Sequence, residues 1–278
     1  MTPLTLPAPA KLNLCLKIIG RRKDGYHLLQ TVFQLLDFGD TLQFAPANEL
    51  VLHDTSDIPG EDNLVLRAAR LLAAHTQKQA GAHITLQKRV PMGAGLGGGS
   101  SDAATTLVGL NHLWQLGLGI AELTQLGIKL GADVPVFING YSAWAEGVGE
   151  RLTKLKLPEK YFLVIYPACH VNTGQVFGHA ELTRDSSAIT IARFLESGAG
   201  NDCENVVRKL YPEVDAALLW LMKWGAAKMT GTGSSVFLDF DSREAAEVVK
   251  AEVPENWQSF VAKAENVSAL RGALVYPE

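Results

Sequence analysis

From Ala10 to Ile18 the residues "AKLNLCLKI" alternate apolar and polar. Leu12, Leu14, Leu16 and Ile18 point one way, Lys11, Asn13, Cys15 and Lys17 the other, which predicts a strand with one buried face. "RRKDGYH" interrupts the pattern, with Asp24-Gly25 as a turn signal. "LLQTVFQLLD" predicts a second strand. "EDNLVLRAARLLAAHTQKQAG" predicts a helix capped by Asp62 and stopped at Gly81, with Leu64, Ala68, Leu71 and Leu72 on its apolar face. "HITLQKRVP" alternates again as a strand and runs straight into "PMGAGLGGGSSDAA".

Beyond the glycines, Ala103, Leu107, Leu110 and Trp114 fall at helical spacing. Ser100 or Ser101 is expected to cap that helix, with Asp102 in its first turn, where a negative charge suits the dipole. "AELTQLGIKL" predicts a helix ending at Gly131, and "LGADVPVF" then places Asp133 in a helix-to-strand turn. "SAWAEGVGERL" reads as strand and turn, and "TKLKLPEKYFLVIYP" as the passage into a second half. There "YFLVIYP", "SSVFLDF" and "SFVAKAENV" are strand-like. "ENVVRKLYPEVDAALLWLMKWG" and "SREAAEVVKAEV" are helical. Strands and helices interleave in both halves, so the expected class is α+β with two lobes.

Composition narrows the function classes. The 278 residues are 47% hydrophobic and 19% charged, enough for a sizeable core. A net charge of −4 gives no footprint for nucleic acid or an anionic membrane. No apolar run reaches the ~20 residues of a membrane helix, and "MTPLTLPAPAKLNL" does not read as a signal peptide. Cys15, Cys169 and Cys203 are odd in number and widely spaced, which fits a reducing cytoplasm and no zinc site.

The glycine-rich stretch is unsuited to a core, a helix or a strand; its use is close backbone approach to an anion ahead of a helix N-terminus. Gly93, Gly95 and Gly98 satisfy G-x-G-x-x-G between a strand and a helix, the local context of a dinucleotide fold. The acidic residue that fold wants about 20 positions on is absent, Leu113 and Trp114 standing there. A P-loop would need a lysine after the last glycine. The remaining reading is another phosphate loop, opened by Pro91, with Ser100 and Ser101 adding hydroxyl donors.

That stretch resembles the phosphate loop of the small-molecule kinases named for galactokinase, homoserine kinase, mevalonate kinase and phosphomevalonate kinase. "PAPAKLNLCL" and "MTGTGSSVF" resemble the family's other two motifs. Together with "RRKDGYH", "LGADVPVF" and "AEGVGE", they extend the likeness over nearly the whole chain and toward a member whose substrate carries a cytosine base. The resemblance implies an N-terminal lobe, 1–155, like the second domain of ribosomal protein S5 and carrying the ATP phosphate loop. It implies a ferredoxin-like C-terminal lobe, 156–278, with the active site in the cleft between them. It also implies ATP as co-substrate with Mg²⁺, a small-molecule substrate, and a monomer or homodimer.

The same resemblance assigns roles. Lys11 and Asn13, two apart on a strand and so on one face, would stand beside the reacting hydroxyl. Lys11 would counter charge developing in the transition state and Asn13 would orient the network. Asp133 would be the base. Tyr26 and Phe177 would stack on the cytosine, His27 would hydrogen-bond its edge and Thr173 would make a neighbouring contact. Asn63 and Leu64 would line the adenine pocket. Pro91, Met92, Gly93, Ala94, Gly95, Leu96, Gly97, Gly98, Gly99, Ser100 and Ser101 would hold the phosphates. Lys88 adds an argument from pattern: it shares a face with Ile84, Leu86 and Val90, so its amine needs a partner, and the phosphates are the expected one. Ser100 and Asp102 are near enough to be considered for Mg²⁺, whose ligands stay unassigned. Three other functions stand beside this one: a related kinase of mevalonate, homoserine or a sugar; a nicotinamide oxidoreductase built on Gly93–Gly98; and a non-catalytic nucleotide sensor.

Overall fold

The computed structural model describes residues 3–23, 25–54, 62–78 and 80–273. Asp24 and Glu61, which the sequence put in a turn and at a helix start, lie outside them. The strands are β1 (Leu4–Arg21), β2 (His27–Ala47), β3 (Leu50–Asp54), β4 (Gly81–Gln87), β5 (Ala143–Gly147), β6 (Arg151–Lys154), β7 (Tyr161–Tyr166), β8 (Lys228–Met229), β9 (Val236–Phe240) and β10 (Gln258–Glu265). The helices are α1 (Leu64–Thr76), α2 (Gly98–Leu113), α3 (Ile120–Ile128), α4 (Val134–Asn139), α5 (Thr173–Gly178), α6 (Ile191–Ser197), α7 (Glu204–Leu210), α8 (Pro212–Leu221), α9 (Arg243–Lys250) and α10 (Ala269–Ala273).

β1 and β2 form a long antiparallel hairpin whose register shifts between Pro9 and Lys11, Asn13 and Leu16, and Ile18 and Gly20. β2 also pairs with β4 and β5, and through Leu35 and Leu36 with β10. β10 then pairs with β7, which pairs with β9, so β2 joins the two halves. One apolar core packs α1, α2, α3 and α4 on the first half and includes Leu6, Phe33, Phe44, Leu72, Leu107, Phe137 and Leu270. A second packs α7, α8 and α9 on the other half and takes in Leu16 and Ile18 from β1. A third cluster, with Leu12, Leu96, Phe162 and Phe237, fills the junction.

Several local expectations change. Lys11, Asn13 and Cys15 are as buried as the apolar positions of β1, at 2%, 3% and 1% exposure; Lys11 and Asn13 line a cleft together with Leu16, where the register shifts, and Cys15 packs with Val32, Trp144 and Phe194. The cap of α1 is Asn63, not Asp62: the Asn63 side chain accepts from the Val65 amide at 2.9 Å. α1 stops at Gln77, in the left-handed region, and Gly81 opens β4. α2 starts at Gly98 behind Gly97, so neither Ser100 nor Ser101 caps it. Asp133 precedes a short helix, α4, and not a strand; Pro135 in the first turn suits that start. The single helix expected from Glu204 breaks at Tyr211, because Pro212 disfavours helical backbone in the residue before it.

Candidate active site

The glycine loop is held from both sides by backbone. Where β1 shifts register, the Lys11 amide leaves its partner strand and donates to the Leu96 carbonyl at 3.0 Å. From the second half, the Ser235 amide donates to Ala94 O at 3.1 Å. Glycine is required here sterically. Gly95 has φ +74°, and a Cβ on it would sit 2.5 Å from Thr230 O and 2.7 Å from Gly233 O. Gly97 has φ +73°, and its Cβ would sit 2.9 Å from Phe137 Cζ and 3.0 Å from Lys11 Cε. Both combine left-handed backbone with missing side-chain space.

Three cavities run along the cleft. The first, about 340 Å³, is lined by the whole run from Pro91 to Ser100, with Asn63, Leu64, Lys88 and Asp102. Its Asn63 is fixed by donating to Asp54 Oδ2 at 2.8 Å while capping α1. Ser101 lies fully buried with an unpartnered Oγ and does not line this cavity. A residue one position from Ser100 points another way around the helix. The second cavity, about 580 Å³, shares Gly93, Gly95, Gly97 and Ser100 with the first and adds Lys11, Asn13, Thr31, Asp133, Thr173 and Phe177. The third, about 920 Å³, shares Thr173 and Phe177 with the second and adds Arg21, Tyr26 and His27.

At the centre, Lys11 Nζ lies 3.3 Å from Asp133 Oδ2. The same ammonium donates to Asn13 Oδ1 at 2.5 Å and to Gly95 O at 2.8 Å. Asn13 Nδ2 donates to Thr31 Oγ1 at 2.8 Å, and the Thr31 hydroxyl donates to Cys15 O at 2.5 Å. The Asn13 amide donates to Thr230 Oγ1 at 2.9 Å, and that hydroxyl donates to Gly95 O at 3.3 Å. Lys11 is thus a buried cation with three partners. Its carboxylate partner is the more open of the two, with the Lys11 and Asp133 side chains 3% and 32% exposed. A carboxylate facing a cavity beside a fixed ammonium can take a proton from a bound hydroxyl.

Lys88, expected to reach phosphates, has another engagement. Its Nζ donates to Asp40 Oδ2 and, at 2.8 Å, to Asp102 Oδ2. Asp40 also accepts the Val90 amide at 2.8 Å, which ties down the strand leading into the glycine loop. Asp102 therefore serves Lys88 more than the helix dipole. Burial works against the Lys88 ammonium, but Asp102 and Asp40 more than offset it and hold its pKa above the ordinary lysine value. Two carboxylates share one ammonium, and Asp102 yields: burial pushes its carboxyl up to about 7, against the pull of Lys88, with the Asp40 charge adding to the rise. Asp102 Oδ1 is buried and makes no hydrogen bond.

In the third cavity the rings of His27 and Phe177 stack at 5.0 Å and 25°. Tyr26 lines the same cavity as Phe177 and is 65% exposed. Arg184 donates from Nε to His27 Nε2 at 3.3 Å. Thr173 shares a hydrogen bond of 2.9 Å with Thr232. Sequence reading missed Thr31, Thr230, Thr232 and Arg184. "MTGTGSSVF" was a signal for the two late threonines; Thr31 lies in an ordinary strand pattern and Arg184 in a stretch with no periodicity.

Residues 63–141 match the family model for the N-terminal domain of GHMP kinases, and 180–259 that for their C-terminal domain. A protein of Nitrosococcus oceani named 4-diphosphocytidyl-2-C-methyl-D-erythritol kinase is 54% identical over 274 residues, 98% of each chain. One of the same name from Chromohalobacter salexigens is 51% identical over 283 residues, 99% of this chain and 95% of its own. A crystal structure of 4-(cytidine 5'-diphospho)-2C-methyl-D-erythritol kinase matches with a TM-score of 0.80 at 33% identity, covering 94% of this chain and 98% of that one. With a glycine loop between a cavity and a Lys11–Asp133 pair, and with likeness over nearly its whole length, the chain belongs to the GHMP kinases, two-lobed α+β enzymes that phosphorylate small molecules with ATP.

Proposed function

We propose that this enzyme transfers the γ-phosphoryl group of ATP to the 2-hydroxyl of 4-diphosphocytidyl-2-C-methyl-D-erythritol, giving the 2-phosphate and ADP. The reaction belongs to the non-mevalonate route to isoprenoid precursors. The observation that carries the reading is the serial order of the three cavities: glycine loop, Lys11–Asp133 pair, aromatic and basic pocket. A substrate with a base at one end and an alcohol at the other spans the last two and meets the nucleotide phosphates at the first.

In this scheme Asn63 and Leu64 flank the nucleotide base, and the run from Pro91 to Ser100 cradles its phosphates. Asp133 accepts the proton of the attacking hydroxyl. Lys11, held by Asn13 and Gly95 O, lies beside the transferring group and counters its charge. Little covalent work is left to the protein, and positioning carries most of the rate. His27, Phe177, Tyr26 and Thr173 hold the cytidine end. Lys88 acts from beneath the loop: by joining Asp40 to Asp102 it fixes the glycine run against β2 and α2.

Mg²⁺ is expected to enter with ATP. Among the described residues no group of three His, Cys, Asp or Glu could hold a metal, which suits an ion bound mostly by phosphates and water with one or two protein ligands. Ser100, which lines both cavities, is the donor that fits; Asp102 is buried and engaged by Lys88. A bound ion would neutralise charge on the phosphate oxygens.

We place the lobe boundary between 155 and 156. The free thiols of Cys15, Cys169 and Cys203 support a reducing, cytoplasmic setting. A related kinase of mevalonate, homoserine or a sugar would have no use for the stacked rings of the third cavity. The test is incubation with ATP–Mg²⁺ and each of these alcohols, with the phosphomonoester followed by phosphorus NMR. Product from the cytidylyl substrate alone is expected; product from one of the others, with none from it, would overturn the reading.

A further inference from the structure

Arg184 makes four hydrogen bonds, all as donor. Nε reaches His27 Nε2 at 3.3 Å, and Nη1 reaches Leu182 O at 3.1 Å. Nη2 reaches Phe177 O at 2.9 Å and His179 O at 2.7 Å. The carbonyls belong to the end of α5 and the turn after it, so the guanidinium is fixed in place before it touches His27. A guanidinium has five N–H donors, no acceptor, and does not deprotonate in proteins. The nitrogen it bonds must therefore offer a lone pair. That leaves one arrangement for a neutral imidazole: Nε2 bare and the proton on Nδ1. The imidazolium, with protons on both nitrogens, does not fit this contact. Burial, then the charges of Arg184 and Arg21, likewise hold the His27 pKa below the ordinary histidine value.

The ring so fixed lies flat against Phe177, 5.0 Å between centroids, and both line the third cavity with Arg21 and Tyr26. Cytosine and uracil differ on the edge that such a ring would read. N3 of cytosine is an acceptor; N3 of uracil carries a hydrogen. We propose that Arg184 is a positioning residue that locks His27 as the neutral Nδ1–H tautomer, so that the third cavity presents an N–H donor to the pyrimidine edge and selects cytosine over uracil. The selection rests on the reading that this cavity takes the base of the substrate; the tautomer does not.

The experiment uses the full-length enzyme in two arms. In the first, histidine-labelled protein without substrate gives the nitrogen NMR signals of His27. The wild type is expected to show a pyridine-like Nε2 and a protonated Nδ1. In Arg184→Met, of similar length and without donors, the proton should move to Nε2. In Arg184→Lys, which keeps one donor and the charge, the wild-type pattern should be largely retained. In the second arm, kcat/KM is compared for the cytidine substrate and its uridine counterpart. Arg184→Met should lower the preference for cytidine about tenfold, the worth of one hydrogen bond, through KM and with kcat on the cytidine substrate little changed. Loss of loop geometry alone would weaken both substrates together and leave the ratio intact. A wild-type His27 protonated on Nε2, or an Arg184→Met protein with unmoved tautomer, overturns the proposal. So does a wild type that distinguishes the bases by a ratio Arg184→Met and Arg184→Lys both leave intact. A wild type that does not distinguish them at all contradicts the base-cavity reading and the selection together.

Discussion

The Lys11 ammonium stands 3.3 Å from the Asp133 carboxylate, although one residue lies on the first strand and the other just ahead of α4. Three structural facts bring them together. β1 shifts register beside Lys11, Gly97 leaves room for the lysine stem, and Gly95 O accepts from its amine. The pair is thus assembled by the phosphate loop itself, so the loop and the catalytic centre should fail together.

Gly97→Val is expected to abolish ATP binding, for a reason different from simple blockage of the phosphates. Its Cβ would press on Phe137 and the Lys11 stem in left-handed backbone that a β-branched residue resists. Titration calorimetry with ATP–Mg²⁺ checks it, with circular dichroism to confirm that the protein is folded. NAD should show no binding to the wild type.

Phe177→Ala should weaken binding of the cytidylyl substrate by roughly 1–3 kcal/mol, the usual worth of a base–aromatic stack. Tyr26→Ala should cost less than Phe177→Ala, because Tyr26 is 65% exposed. ATP affinity should be unchanged in both. Steady-state KM values for each substrate separate these outcomes.

Asp102 gives a pH prediction. Its carboxyl lies at about 7 in the folded protein against 3.8 ordinarily. Between those values the folded state holds a proton that the unfolded state has lost, so stability falls as pH rises from about 4 to about 7 and stays reduced above. Asp102→Asn removes this contribution and leaves Lys88 paired with Asp40. Thermal melts from pH 5 to 8 should show the variant losing less stability than the wild type over that range.

Periodicity made most of the first half legible, and two-residue spacing alone placed Lys11 and Asn13 on one face. It could not tell that this face was buried, since a polar face on a strand reads the same whether it meets water or a cleft. "DVPVF" is a short apolar run, which periodicity cannot assign to strand or helix, so α4 was missed and Asp133 was placed in the wrong kind of turn. Lys88 was correctly out of place among Ile84, Leu86 and Val90. Its partners, Asp40 and Asp102, could be identified only once β2, β4 and α2 were seen to converge. Arg184 gave no signal because it acts by its side-chain fork, which leaves no pattern in its neighbours.

The central claim, that Asp133 takes the proton of the attacking hydroxyl beside Lys11, is tested most directly by the turnover of Asp133→Asn with both substrates saturating. The substitution keeps the shape and removes the basicity. Turnover should fall by about 10²–10⁴-fold, the range of general-base help, with both substrates still bound. Lys11→Ala should be similarly damaging, and the double variant much less than multiplicatively worse, because the two act as a unit. Near-normal turnover of Asp133→Asn would contradict the account and leave Asp133 as no more than the residue that precedes α4.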